Sequence, residues 1–295
     1  MNPPVDREHR EHDHLGREHR DRHDHEHLSA DASIAVSADS VESGAARRSP
    51  SLAAWWRLCV CEAKMTVRDT AGLVIPLGLP IIILLTSAST ASTEIVANGR
   101  SALDLFVLPL VSVMVVTMIG VLNMPSFLAY YRRSGILRRL ATTPLSPLAV
   151  LAAQVAVSFV QALLGIALAF GVAAAFFGAR PPIHAWTALG VLLLTMLAMY
   201  GIGMIVASLA PTPNAAVALG LIGFLGLGAL GGMFGSRDAL PGWMATVGEA
   251  LPFGAGVEAL SAAWAGMPAD PAHLVSLAVS AVVGAAVAAL FFRWE

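Results

Sequence analysis

Residues 181–236 read PPIHAWTALGVLLLTMLAMYGIGMIVASLAPTPNAAVALGLIGFLGLGALGGMFGS, without a single Asp, Glu, Lys or Arg. A membrane-crossing helix needs roughly 20 consecutive apolar residues, so this run is long enough for two. Pro211-Thr-Pro213 divides it, because proline has no N–H for the helical ladder and disfavours a helical residue before it. The expected spans are 185–209 and 214–234. Working outward, uncharged runs between charged residues supply four more, at 72–89, 105–130, 147–177 and 273–292. The prediction is an all-α integral membrane protein with six transmembrane helices.

Composition agrees. The chain has 295 residues, 56% hydrophobic and 13% charged, with mean hydropathy +0.70; soluble domains carry about 25% charged residues. Close to half of the charges crowd into positions 1–48, which excludes an ordinary soluble fold for the remainder. The N-terminus is polar, so no cleavable secretory signal is expected. Cys59 and Cys61 form a Cys-x-Cys that matches neither a zinc half-site nor a redox pair. Lys64 is the single lysine and stands in Cys-Glu-Ala-Lys-Met. A phosphate-cradling loop needs Gly-x-x-x-x-Gly-Lys-[Ser/Thr], so ATP and Mg are expected on another polypeptide if ATP drives this one. No cofactor or metal is expected on this chain.

Basic residues set the orientation. Near the spans, Arg57, Lys64, Arg68, Arg132, Arg133, Arg138, Arg139 and Arg293 fall on one side, against Arg100, Arg180 and Arg237 on the other. Positive charge collects on the cytoplasmic side, so both termini are predicted to be cytoplasmic, in a multi-pass plasma-membrane protein. The preference for arginine over lysine, with abundant alanine, points to a GC-rich bacterial genome.

Three segments outside the spans carry information. Residues 1–48 form a charged, low-complexity tail with seven of the nine histidines, expected to be disordered because it cannot bury enough apolar area to offset ordering. Histidine tracts can bind metal, but the spacing here is irregular. Residues 49–70 hold an amphipathic helix expected at the inner leaflet: Leu52, Trp56, Val60, Ala63 and Val67 line one stripe, and Arg57, Lys64 and Arg68 the adjacent one. In the loop after the second span, Arg132, Arg133, Arg138 and Arg139 flank Gly135, Ile136, Leu137 and Leu140. An orientation signal needs the arginines. It does not need the Ile/Leu face, which wants a groove to fill.

The predicted spans contain no Asp, Glu, Lys or Arg. An ion-coupled transporter places ionisable groups at mid-membrane, where they are costly unless they work, so their absence argues against that class. The polar residues are milder. Asn123 precedes Pro125, and Gln154, Ser158 and Gln161 recur at i, i+4 and i+7 on one helical face. They are either interhelical hydrogen-bond partners or a solute-facing pathway. The fifth span is glycine-rich, with Gly-x-x-x-Gly pairs at Gly228/Gly232 and Gly231/Gly235.

The loop Arg133-Ser-Gly-Ile-Leu-Arg-Arg-Leu-Ala-Thr-Thr-Pro-Leu-Ser146 resembles the cytoplasmic loop of type-2 ABC transporter permeases. Ala239-Leu-Pro-Gly-Trp-Met, Leu251-Pro-Phe and Val257-Glu-Ala-Leu260 resemble that family's outer segment before its sixth span. The similarity runs from about 55 to 295, making 71–295 the permease domain. Many members carry an acidic residue before the arginines, where this chain has Tyr130-Tyr131, similar to the actinobacterial antibiotic-resistance exporters. The resemblance implies that 51–68 is a connecting helix, Arg132–Leu140 a coupling helix, and 236–271 a set of partly re-entrant outer helices. It further implies two copies of a separate ABC ATPase, a second permease copy or homologue, and export of a hydrophobic or amphipathic drug, lipid or glycan. No nucleic-acid partner is expected.

Two rival classes find little support in the residues. A lipid-modifying enzyme would want clustered acid–base groups, and His184, His273, Glu249, Glu258 and Asp270 are scattered. A metal-efflux protein using the tail would need ionisable groups at mid-membrane.

Overall fold

The computed structural model describes residues 52–91, 95–134, 147–235 and 240–291. The tail and the loop positions Gly135, Ile136, Leu137, Arg138, Arg139 and Leu140 lie outside the described residues. In chain order the elements are α1 (Leu52–Arg68), α2 (Thr70–Thr90), β1 (Ile95–Ala97), β2 (Arg100–Ser101) and α3 (Leu103–Arg133). They continue with α4 (Pro147–Phe177), α5 (Ala185–Leu209), α6 (Pro213–Leu230), α7 (Gly242–Ala250), α8 (Pro252–Ala265) and α9 (Pro271–Phe291). Six of these, α2 to α6 and α9, are long and apolar enough to cross a membrane. The all-α membrane fold holds, with one small addition: β1 and β2 pair antiparallel around Asn98-Gly99, both at positive φ, as a tight hairpin turn requires.

The six spans are not equivalent. In α3, 83% of the most apolar window is buried inside the protein, against 17% in α9. Val111, Val113, Met114, Val116, Ile119 and Val121 are all fully buried, so α3 is the hub. Two stretches of α3, Leu103–Val107 and Met118–Asn123, are wound one residue wider than an α-helix. Proline follows each, as Pro109 and Pro125, and removes one N–H from the ladder. At the second, α5 lays Gly203 on the Gly120 carbonyl and α6 lays Gly220 on that of Val121, 2.5 Å from where a Cβ would sit. Gly201 of α5 meets Gly284 of α9 in the same backbone-to-backbone way. Small residues at these crossings let the helices touch.

Two expectations need correcting. The fifth span stops at Leu230, not at residue 234, because its end abuts other backbone: Gly248 of α7 lies on the Leu230 carbonyl and the Phe253 ring lies on Gly231. The Gly-x-x-x-Gly pairs therefore fall at the helix end, outside any continuous seam. The spans are also not free of ionisable groups. Helix α3 begins at Leu103, so Asp104 lies inside it, 2% exposed, and Arg132 and Arg133 close its far end.

The α7–α8 pair enters the bundle beside the hairpin. Eleven of the 14 residues of α8 are buried. Gly256 packs on the side chains of Thr195 and Val113, each ten residues into its span, a depth of about 15 Å at 1.5 Å per residue.

Candidate functional site

The bundle has two ends, one carrying α1 and the other the β1–β2 hairpin. At the α1 end, the stripe of Leu52, Trp56 and Val67 is exposed, as are Arg57, Lys64 and Arg68. A third face of α1, made of Cys59, Glu62 and Thr66, is buried against the bundle. The sequence held one signal for it, since Glu62 is the single carboxylate in a helix whose other charges are basic.

Glu62 is 5% exposed and accepts a hydrogen bond from the hydroxyl of Tyr131, 3% exposed, at 2.5 Å. Burial raises the Glu62 carboxyl above the ordinary carboxylate range, and the Tyr131 bond partly opposes that shift. Next to Tyr131, the Arg132 guanidinium donates to the carbonyls of Ala207, at 3.4 Å, and Ala210. These belong to the last turn of α5, whose carbonyls have no helical partners and carry the negative end of the helix dipole. Arg132 is therefore occupied inside the protein, while Arg133 is exposed. A chain of contacts runs from α1 through the end of α3 to the end of α5.

The turn between α1 and α2 adds a second set. Asp69 caps α2 by accepting from the Gly72 N–H at 3.1 Å. The Gly72 carbonyl accepts from Asn123 Nδ2 at 2.5 Å and Gln161 Nε2 at 3.0 Å. Gln154, Ser158 and Gln161 do share one face of α4, and it is the buried one, at 2%, 3% and 7% exposure. Asn123 also borders a cleft of about 420 Å³ between the α1–α2 turn and α3, with Met65, Arg68, Asp69, Phe127 and Tyr130. A second cavity of about 650 Å³ is almost wholly apolar, walled by α3, α4, α5 and α9, with Met124, Val155, Tyr200, Met204 and Ala285 on its lining.

At the hairpin end, Asp104 accepts from the Arg180 N–H at 2.9 Å, and Arg180 donates to the Gly99 carbonyl at 3.2 Å. The Trp264 indole donates to the Arg180 carbonyl, and Asn98 to that of Ala265. Hairpin, α4–α5 turn and α8 are thereby stitched together. A cavity of about 660 Å³ opens among the ends of α3 and α6 and the α7–α8 pair, with Glu249 and Glu258 on its wall. His273 approaches Glu249 at 3.4 Å, a pairing across 24 residues that spacing did not reveal. His184 opens α5, and Asp270 caps α9 through the Ala272 N–H.

The family model described as ABC-2 type transporter matches residues 53–264. No curated protein matches the chain.

Proposed function

The chain belongs to the ABC-2 type transporter family and is the membrane-spanning permease subunit of an ABC transporter, not itself catalytic; from that premise we propose that it couples ATP hydrolysis on a separate ATPase to export of a hydrophobic or amphipathic solute. The observation that carries the coupling is the contact chain at the α1 end. There α1 holds Tyr131 through Glu62, and Arg132 holds the last turn of α5. Both residues precede the loop whose sequence carries Ile136, Leu137 and Leu140 among its arginines. A push on that loop or on α1 reaches two spans directly.

The α1 end is the cytoplasmic one in this reading, and both termini are cytoplasmic, in a bacterial plasma membrane. Two permeases, identical or homologous, act with two ATPase subunits, and ATP and Mg stay on the latter. Closure of the ATPase pair is the two-state element, and the solute binds the two states differently. The large apolar cavity and the absence of mid-span carboxylates favour a lipophilic solute over an ion, as for the antibiotic-resistance exporters that the loop resembles. The solute pathway runs past Asn123 and the cleft it borders. Of the polar residues on α4, Gln161 meets Asn123 at the Gly72 carbonyl.

Orientation and transport are tested together. Single cysteines at Asn98 and Leu240 should label from outside, and at Gly135 and Thr212 from inside. Vesicles containing the chain and its ATPase should move a lipophilic dye only with ATP on the α1 side. Reversed labelling, or movement independent of ATP, would overturn the reading.

A further inference from the structure

We propose that the Gly72 carbonyl is a latch that holds α2, α3 and α4 as one body beside α1, with Pro76, Asn123 and Gln161 as its positioning residues. Inside an α-helix, a carbonyl accepts from the N–H four residues on. For Gly72 that residue is Pro76, which has no N–H. The carbonyl is therefore left without its helical donor, in a place where an unsatisfied polar group is costly. Two amides from two other spans arrive at it, Asn123 from α3 and Gln161 from α4, at 9% and 7% exposure.

One atom thus joins three helices. The same residue is held from its other side, where its N–H takes the Asp69 cap. A side chain at position 72 would strike the Asp69 carboxylate, so glycine is required for cap and latch to coexist. The device recurs once. Pro109 offers no N–H to the Leu105 carbonyl four residues back, and Ser261 of α8 donates to that carbonyl at 2.6 Å. At Pro76 and Pro109 the carbonyl four residues back is taken by a donor from a neighbouring helix.

Because cap and latch share Gly72, a displacement of α1 passes through the Asp69 turn into three spans at once. That consequence rests on the coupling proposed above; the latch itself does not. The test uses the full chain in lipid nanodiscs, with Cys59 and Cys61 replaced by alanine and spin labels at the exposed positions Ile82 of α2 and Val160 of α4. Wild type should give one narrow distance distribution. Asn123→Leu with Gln161→Met should broaden it and lower the unfolding midpoint by several degrees. Adding Pro76→Ala restores an N–H to the Gly72 carbonyl, so the midpoint should recover while the distribution stays broad. A purely structural polar contact would recover both, and that result would overturn the proposal. Should the double variant fail to fold, Gln161→Met alone, which leaves Asn123 on the carbonyl, should broaden the distribution partially; an unchanged distribution would also overturn it. Neither readout involves the ATPase, so a failure of ATPase association would count against the export reading and leave these measurements unaffected.

Discussion

The two ends of the bundle are joined by different means. At the hairpin end, the side-chain bonds of Asp104, Arg180, Asn98 and Trp264 are backed by direct backbone contact: Gly254 of α8 lies on the Gly248 carbonyl of α7, and Gly248 on that of Leu230. At the α1 end the junctions are single side-chain bonds, Tyr131 to Glu62 and Arg132 to the last turn of α5. Packed cores resist small displacement, whereas discrete hydrogen bonds can be exchanged one at a time. By this difference the hairpin end is the more rigidly packed, and the α1 end is the one whose joints can be exchanged.

The sharpest way to break this comparison is to add volume at the hairpin end. Gly254→Val places atoms against the Gly248 carbonyl, a backbone group that cannot rotate aside, and overpacking of this kind costs about 1–3 kcal/mol or more. The expected outcome is loss of folded protein in size-exclusion chromatography. Gly226→Val, where a Cβ meets nothing within 4 Å, should elute like wild type. If both behave alike, the hairpin end is not the tightly packed one.

At the α1 end effects should be smaller and separable. Tyr131→Phe removes the donor from a buried carboxylate, at a cost of about 1–3 kcal/mol in unfolding free energy. Arg132→Leu uncaps α5 and should cost about 1 kcal/mol, with backbone amides in residues 205–210 exchanging faster with deuterium. Protection equal to wild type there would mean that the guanidinium does not hold that turn.

Much of this was legible in the sequence, and what was missed has a physical reason. Charge-free runs located all six spans, since hydrocarbon tolerates no other long segment. They could not identify α3 as the hub, because every span is apolar on all sides and burial among them leaves no periodicity to read. The exposed stripe of α1 was visible for the opposite reason: it stands beside charge. Its buried face was not, because Glu62 reads as a surface carboxylate until Tyr131, 69 residues away, is brought to it. The spacing of Gln154, Ser158 and Gln161 puts them on one face of α4. That this face is the buried one, with Gln161 donating to the Gly72 carbonyl of another helix, is information that single-helix spacing does not carry. The end of α6 was overrun because the glycines after Leu230 continue its apolar run, and only the α7–α8 pair marks where it must stop.

The smallest effect expected is a pH dependence confined to the α1 end. Folding raises the Glu62 pKa above its unfolded value near 4.5, through burial. Between those two values the folded state holds more protons than the unfolded one, so stability falls as pH rises through that window. Glu62→Gln keeps an acceptor for Tyr131 without the charge. Its unfolding midpoint should match wild type at pH 4.5 and exceed it progressively as pH rises. A constant difference across the range would show that burial does not raise the carboxyl above its unfolded value.

The central claim is that the α1 end is where a separate ATPase takes hold. The direct measurement is purification of the full-length chain from native membranes, followed by identification of bound chains and assay of ATP hydrolysis, for wild type, Ile136→Asp and Arg133→Ala. An ABC ATPase should accompany wild type in stoichiometric amount. Ile136→Asp should lose it, because a carboxylate in an apolar groove costs several kcal/mol unless it is paired. Arg133→Ala should largely keep it, since an exposed ion pair is worth about 0–1 kcal/mol. Equal retention by all three chains, or wild type that carries no ATPase at all, would contradict the account.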